Sequence, residues 1–284
     1  CKDRFTSNET AQTSHINSLC DSGLVFTNLW VNPTCSPTRA SILTGRYGFR
    51  TGVGAPCGSE ENPALSTKEL TIPMVLASHN INSATIGKWH LSDRKDTHFK
   101  HPNQLGFDYY SGIYSGGVKN YFNYEKIEQG QRKTSTQYST TDIVDDAIYW
   151  INKQDHSWFL YLAFNAPHTP FHLPPNDLHG YKLSGTKKDI NKQPRLYYEA
   201  AIEAMDTEIG RLMHALSHQL PYTDIIFMGD NGAPGKVIQP PYNKHTAKAS
   251  LYQGGIHVPM VIAGPSVHHI ANIEPALVNG VDLY

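Results

Sequence analysis

Apolar and polar residues form blocks along the chain that predict strands and helices in turn. The apolar-rich segment 24–30 predicts a strand, and 83–86 predicts a second, shorter one. In 140–152 the apolar residues fall on one helical stripe, and the run 158–164, apolar on both faces, follows at once. A strand without alternation is typical of the centre of a parallel sheet, so 158–164 is expected to lie there.

The rest of the pattern continues this alternation. Helices are predicted over 8–22, 67–79 and 196–220, strands over 224–228 and 258–263, and long loops with some irregular strand over 92–139. This order predicts an α/β fold with one open, mostly parallel sheet and helices on both faces, in a single domain over 1–284. Ligands of such sheets bind at the carboxyl ends of the strands.

Composition narrows the classes of function. The chain has 284 residues, of which 39% are hydrophobic and 17% charged, and its formal net charge is −1. That balance carries no basic signal for nucleic acid or for an anionic membrane. No apolar run approaches the roughly 20 residues of a membrane helix, so neither nucleic acid nor a membrane span is predicted.

One segment, 35–46, concentrates the candidate chemistry. It reads Cys-Ser-Pro-Thr-Arg-Ala-Ser-Ile-Leu-Thr-Gly-Arg and follows the first strand at the expected start of a helix. Pro37 suits the first helical turn because it has no N–H and its φ is preset. The free N–H groups of that turn favour an anion beside Cys35. Arg39 adds a permanent charge whose fork geometry suits an oxyanion.

This segment resembles the signature of the sulfatase family, which belongs to the alkaline-phosphatase-like superfamily. Cys35, Pro37 and Arg39 stand at the family's offsets, and 43–46 match its Leu-Thr-Gly-Arg tail. The resemblance implies that a formylglycine-generating enzyme oxidises Cys35 to an aldehyde. The hydrated aldehyde has two hydroxyls. One attacks the sulfur of a sulfate ester and expels the alcohol; the other then loses its proton, so that the aldehyde re-forms and sulfate leaves.

Three polar clusters follow predicted strands, and a fourth precedes the strand predicted over 258–263. They occur in the order in which sulfatases carry them. They are Gly-Lys-Trp-His at 87–90, Asn-Ala-Pro-His at 165–168, Gly-Asp-Asn-Gly at 229–232, and the segment that begins at Lys248. By this resemblance the catalytic residues are Cys35, Arg39, Lys88, His90, His168 and Lys248. The lysines would bind sulfate oxygens, and the histidines would move protons on the elimination and leaving-group sides.

The resemblance also implies a divalent cation. Its ligands would be Asp230, Asn231 and the formylglycine made from Cys35. Hard oxygen donors favour Ca²⁺ here, with Mg²⁺ as the second choice. His172, His245 and His257 are weaker candidates for the substrate pocket.

The match has gaps. Sulfatases carry a first strand that ends in two metal-binding aspartates, and the adjacent pair in this chain, Asp145 and Asp146, lies in a predicted helix as part of its polar face. The chain also stops at Tyr284, before the family's C-terminal subdomain. We therefore expect an internal fragment that lacks the first strand and that subdomain. Gln253 and His257 stand where many relatives have Glu and Arg.

Several alternatives stay open at this stage. A phosphate or phosphonate monoester hydrolase on the same scaffold, or a catalytically inactive relative, would share much of the pattern. The polar loops at 92–139 and 171–195 favour a sulfated carbohydrate as the substrate. The family resemblance implies a periplasmic or extracellular location. With Cys35 reserved, at most one disulfide can join two of Cys1, Cys20 and Cys57.

Overall fold

A computed structural model of the chain describes residues 11–58, 61–93 and 95–284. These residues form two compact units: the first unit contains 11–33 and 171–279, and the second unit contains the described part of 34–170 together with 280–284. The chain passes from one unit to the other three times. The single domain over 1–284 stays a prediction, and Cys1 and the predicted helix start at 8–10 lie outside the described residues.

The described elements alternate much as the pattern predicts. The helices are α1 (Ser14–Ser22), α2 (Cys35–Thr44), α3 (Gly48–Thr51), α4 (Ile72–Ala77), α5 (His101–Gln104), α6 (Ser139–Ile151), α7 (Lys187–Lys192), α8 (Pro194–Ala215) and α9 (Gln253–Ile256), with 3₁₀ turns at Leu220–Tyr222 and Gly280–Leu283. The strands are β1 (Gly23–Trp30), β2 (Asn82–Gly87), β3 (Tyr109–Gly112), β4 (Tyr124–Glu128), β5 (Gln131–Ser135), β6 (Trp158–Ala163), β7 (Ile225–Met228), β8 (His257–Ala263), β9 (Asn272–Glu274) and β10 (Val278–Asn279).

The first unit is built on a sheet in the order β10–β1–β8–β7, with β9 also paired to β1. β8 runs antiparallel to both β1 and β7, whereas β9 and β10 run parallel to β1. Its core cluster joins α1 to the sheet through Leu19, Cys20, Val25, Val261 and Ala263. These side chains hold α1 against the sheet, because the removal of their apolar surface from water is favourable.

Acidic residues on α8 hold the start of the first unit. The Glu203 carboxylate accepts a hydrogen bond from the backbone N–H of Gln12, and Asp206 accepts from the N–H groups of His15 and Ile16. The first N–H groups of a helix lack intrahelical partners, so the carboxylates supply the caps that α1 needs. Burial nevertheless raises the pKa of Asp206 against the lowering effect of these bonds.

The second unit contains a sheet in the order β5–β4–β3–β2–β6. β2 is parallel to both β3 and β6, and the β4–β5 hairpin adds antiparallel strands at one side. Gly87 ends β2 with φ +101°, and a Cβ there would lie 2.1 Å from the carbonyl oxygen of Ala163. Glycine is therefore required where the chain turns from β2 toward Lys88.

All ten residues of α2 are buried. The helix ends at Gly45, whose left-handed φ of 63° lets its N–H reach the carbonyl of Ser41 at 2.9 Å. Leu43 packs into a core cluster with Leu65, Trp89 and Phe107, and this packing holds the helix in place. A buried and capped helix holds its first residue, Cys35, in one place.

The α/β class is confirmed, with differences in detail. The strands form two mixed sheets, in which four of the eight pairings are parallel. β6 ends its sheet among the described strands instead of lying in its centre, and most of its residues are half-buried. The helix predicted over 67–79 shortens to α4, and the one over 196–220 stops at Ala215.

None of the helices in the described part of the chain has the length and apolar character that a membrane span needs.

Candidate active site

The predicted site residues fall into two groups, one in each unit. The second unit holds Cys35, Arg39, Lys88, His90 and His168. The first unit holds Asp230, Asn231 and Lys248.

Cys35 is the first residue of α2, and its free thiol is only 3% exposed. Its Sγ lies 3.1 Å from Nδ1 of His90. The next residue, Ser36, donates its hydroxyl to the carbonyl oxygen of His90 at 2.7 Å. His90 also donates its backbone N–H to the carbonyl of Tyr114 at 3.2 Å. Backbone bonds on both sides therefore hold the histidine against the cysteine.

The conformation of His90 is unusual for a residue with a side chain. Its φ is +56°, a left-handed value that costs energy in any residue other than glycine. Such strain persists only where neighbouring contacts enforce it, and it concentrates at functional sites. The bonds from Ser36 and to Tyr114 supply that enforcement.

Two buried cations stand beside this pair. Arg39 lies one turn along α2, and its NH1 donates to the carbonyl oxygen of Lys88 at 2.7 Å. Lys88 in turn donates its backbone N–H to Ala163 at the end of β6, at 2.8 Å. Both side chains are at least 96% buried. Burying a cation is costly unless anionic or polar groups compensate its charge.

His168 belongs to the same unit and has a defined tautomer. Its Nδ1 lies 2.8 Å from the carbonyl oxygen of Thr169. A carbonyl can only accept, so Nδ1 carries the proton in this contact. Tyr121 fixes the loop, because its hydroxyl lies within hydrogen-bond distance of the carbonyl oxygens of Asn165 and His168, at 2.9 and 2.7 Å.

The second unit contains another free thiol, Cys57, whose surroundings disfavour the reactive thiolate form. Burial raises the pKa of Cys57 to about 11, and the nearby Cys35 adds to the rise. Its backbone N–H donates to the hydroxyl of Ser36 at 3.0 Å. Cys57 therefore stays protonated at neutral pH and acts as packing beside the site.

A cavity of about 480 Å³ opens beside His90 in the second unit. Its walls come from Cys57, the loop after β2, the loop after β3 and the β4–β5 hairpin. They include the carboxylates of Asp93, Asp96 and Glu125 and the cations of Lys119 and Arg132. The Arg132 guanidinium lies 4.9 Å from the ring centroid of Phe99. This volume lies within the roughly 300–1,000 Å³ of small-molecule sites.

In the first unit, Asp230 and Asn231 follow β7 directly. Lys248 joins them through the backbone, because its N–H donates to the carbonyl of Ala233 at 3.0 Å. The pKa of Tyr198 is raised to about 12, mainly by burial; the charge of Arg195 opposes this rise, and the charges of Asp230 and Glu199 add to it. Lys248 thus lies near the segment that carries Asp230 and Asn231 within this unit.

Asp230 and Asn231 carry side-chain oxygens, the ligand atoms that a hard cation such as Ca²⁺ prefers. The side-chain oxygen of Asn231 is buried and has no hydrogen-bond partner, while its amide nitrogen donates to the carbonyl of Gly232 at 3.1 Å. A buried oxygen without a donor, next to a carboxylate, matches the ligands of calcium or magnesium. Over residues 11–58, 61–93 and 95–284, no group of three or more His, Cys, Asp or Glu side chains forms a metal cluster.

The weaker histidine candidates have other surroundings. Nε2 of His257 lies 2.6 Å from the carbonyl of Thr27, to which it donates, and the ring lies 6.0 Å from that of Trp30. His257 therefore supports the β1–β8 pairing. Asp146 binds Lys126 from α6, and Asp145 accepts from Gln137, in line with the polar helix face that we predicted. Sequence reasoning assigned no role to Ser36, which lies inside the Cys35 motif, or to Tyr121, which lies in no motif; both act through backbone carbonyls.

Comparisons with known proteins agree with this picture. A sequence model of the Sulfatase family matches residues 4–284. The uncharacterized sulfatase YdeN of Escherichia coli K12 is 29% identical, over 97% of this chain and 53% of its own length. Human N-acetylgalactosamine-6-sulfatase is 26% identical, over 92% of this chain and 55% of its own. The chain thus spans about half the length of these curated relatives.

Solved structures give the same fold. The crystal structure of Ps i-CgsB superposes with a TM-score of 0.84 at 30% identity, covering 99% of this chain and 66% of that one. Its complex with k-i-k-neocarrahexaose superposes with a TM-score of 0.85 at 28% identity.

Proposed function

Because the chain belongs to the sulfatase family, we propose that it hydrolyses sulfate esters of a carbohydrate with a nucleophile derived from Cys35. The observation that carries this proposal is the 3.1 Å contact between Sγ of Cys35 and Nδ1 of His90 at the start of a buried helix. A proton acceptor in hydrogen-bond contact with the nucleophile's position is the arrangement that covalent hydrolysis requires.

Two groups absent from the unmodified chain complete the proposal. Formylglycine at position 35, installed by a formylglycine-generating enzyme, would supply the hydrated aldehyde. Asp230 and Asn231 would be ligands of Ca²⁺, and the unpartnered oxygen of Asn231 supports that assignment. The ion supplies a positive charge for the sulfate oxygens.

The chain's own residues then have distinct roles. Arg39 and Lys88, both buried, would stabilise the negative charge that grows on the sulfate, and Lys248 would add a third cation. His90 would take a proton at position 35. His168 holds its Nδ1 proton toward Thr169, so its Nε2 would act on the leaving oxygen.

A sugar substrate suits the cavity beside His90. Hydroxyl groups can both donate and accept hydrogen bonds, and the walls offer carboxylates that accept and cations that donate. Two of the similar proteins act on or bind sugars by their names, N-acetylgalactosamine-6-sulfatase and the neocarrahexaose complex. The k-i-k-neocarrahexaose of that complex is therefore the first substrate to test.

A periplasmic or extracellular location fits the cysteine chemistry. Cys20 is disulfide-bonded, while Cys35 and Cys57 are free thiols. Structural disulfides persist in oxidising compartments and are rare in the cytosol. This observation supports export without identifying the signal for it.

The test combines maturation with turnover. The protein is produced together with a formylglycine-generating enzyme, and the Cys35 peptide is examined by mass spectrometry. Sulfate release is then measured from nitrophenyl sulfate and from k-i-k-neocarrahexaose. We expect an aldehyde at position 35 and release from at least one substrate. Cys35→Ala should abolish release at an unchanged melting temperature, whereas Cys57→Ala should retain it. Full activity of Cys35→Ala, or a complete aldehyde with no release from either substrate, would refute the proposal.

A further inference from the structure

Gly116 lies directly against the imidazole of His90. A Cβ at position 116 would stand 2.3 Å from Cε1, 2.5 Å from Nε2 and 2.8 Å from Nδ1 of that ring. Real Cβ atoms do not approach other heavy atoms this closely, so only glycine leaves room for the ring. Since Ser36 and Tyr114 hold the backbone of His90, the ring is the part that would have to move.

The next residue, Gly117, lies against the second histidine. A Cβ at position 117 would stand 3.4 Å from Nδ1 and 3.5 Å from Cε1 of His168. These are ordinary contact distances, and the His168 backbone is held by Tyr121. Two successive backbone units thus support the two histidine rings. Their α-carbons are about 3.8 Å apart, as in any trans peptide.

We propose that Gly116 positions His90 for proton transfer, within a two-residue spacer whose second residue, Gly117, lies beside His168. The proposal rests on the proposed function, because that function gives the two rings their roles. Gly116 is the positioning residue, because the space it leaves open is filled by the His90 ring. His90 stays within 3.1 Å of Cys35 because Gly116 presents no side chain to push its ring away.

The contacts predict a graded response to substitution. At position 116 a methyl group overlaps three atoms at the end of a side chain, which can rotate, so the ring should shift while the fold survives. At position 117 the methyl group fits with little adjustment. Gly54 provides a matched control in the same unit, because a Cβ there meets nothing within 4 Å.

The kinetic test uses the matured protein and nitrophenyl sulfate. For Gly116→Ala we expect kcat to fall about 100-fold, the loss that a displacement of about 1 Å in a catalytic group can cause, with KM within about twofold. Gly117→Ala should lose less than about threefold in kcat, and Gly54→Ala should match the wild type. An unchanged kcat in Gly116→Ala, or an equal loss in Gly54→Ala, would overturn the spacer.

A second readout needs no turnover and separates the spacer from the proposed function. The unmatured protein is labelled with ¹⁵N-histidine, and the ring signals of His90 and His168 are assigned with His90→Gln and His168→Gln. Gly116→Ala should shift the His90 signal, and Gly54→Ala should shift neither. If the wild type releases no sulfate but the His90 signal shifts, the spacer stands and the proposed reaction fails. A His90 signal that stays in place contradicts the spacer itself.

Discussion

Lys126 binds two carboxylates of α6 at once: its Nζ lies 2.5 Å from Oδ1 of Asp142 and 2.5 Å from Oδ2 of Asp146. The lysine side chain is 4% exposed, and those of the aspartates 9% and 17%. Ser135 adds a hydroxyl to Asp142 at 2.6 Å, and Ser111 adds one to Asp146 at 2.6 Å. This buried network fastens the β4–β5 hairpin and β3 to α6.

Lys126→Met should destabilise the protein strongly. Removal of one partner from a buried ion pair leaves an uncompensated charge and costs about 3–5 kcal/mol, and here two carboxylates lose their cation. Lys133 is the control. It lies opposite Lys126 in the backbone register of the hairpin, and its ion pair with Glu128 is exposed. Lys133→Met should cost about 0–1 kcal/mol. Urea unfolding of the three proteins checks this, and equal losses in both variants would show that the buried network adds no special stability.

The same network should make stability depend on pH through Asp142. Burial raises the pKa of Asp142, but the bonds from Lys126, Ser135 and Tyr124 together lower it below its usual range. A carboxyl with a lowered folded pKa stabilises the protein above the unfolded value of about 3.9, and that contribution is lost as the pH falls through the folded pKa. For Asp146 the effect of burial exceeds that of Lys126 and Ser111, so the pKa of Asp146 is raised.

Asp142→Asn should therefore lose more unfolding free energy at pH 7 than at pH 3. The measurement is urea unfolding of the wild type and the variant at both values. A difference between the two proteins that is the same at pH 3 and pH 7 would contradict the assigned pKa of Asp142.

The sequence predicted elements well where periodicity was unbroken. The stripe over 140–152 corresponds to α6 within one residue at each end, because Ile143, Val144 and Ala147 are buried as the pattern requires. The helix over 67–79 was predicted too long. Thr71 is extended and donates its hydroxyl to the carbonyl of Leu105 at 2.6 Å, and Pro73 suits only a first turn, so α4 begins at Ile72.

The β4–β5 hairpin shows why part of 92–139 could be read only as irregular strand. Lys126 occupies a buried strand position at which the pattern requires an apolar residue. Gln129 and Gly130 form the turn with φ +47° and +82°, a geometry that Asn-Gly usually signals. The site motifs were found through family resemblance, whereas Gly116 contacts His90 across a separation that no local pattern reveals.

Cys57 should resist alkylation at a pH where ordinary thiols react. Its pKa of about 11 leaves almost no thiolate at pH 8, and its side chain is buried. Iodoacetamide at pH 8, followed by peptide mass spectrometry, should leave Cys57 unmodified in the folded protein and modify it in urea. Rapid modification of Cys57 in the folded state, at the rate seen in urea, would contradict its assigned burial and pKa.

Calcium should stabilise the protein through Asp230 and Asn231. A ligand that binds only the folded state adds about 2.7 kcal/mol when its free concentration is about 100 times Kd. The melting temperature should therefore rise with calcium and fall after chelation, and Asp230→Asn should abolish the response. Asp224 precedes β7, and its carboxylate accepts hydrogen bonds from Ser266, so Asp224→Asn should lower the melting temperature yet keep the calcium response. A calcium response that survives in Asp230→Asn, or a wild type whose melting temperature ignores both calcium and exhaustive chelation, would remove the cation from this pair of residues.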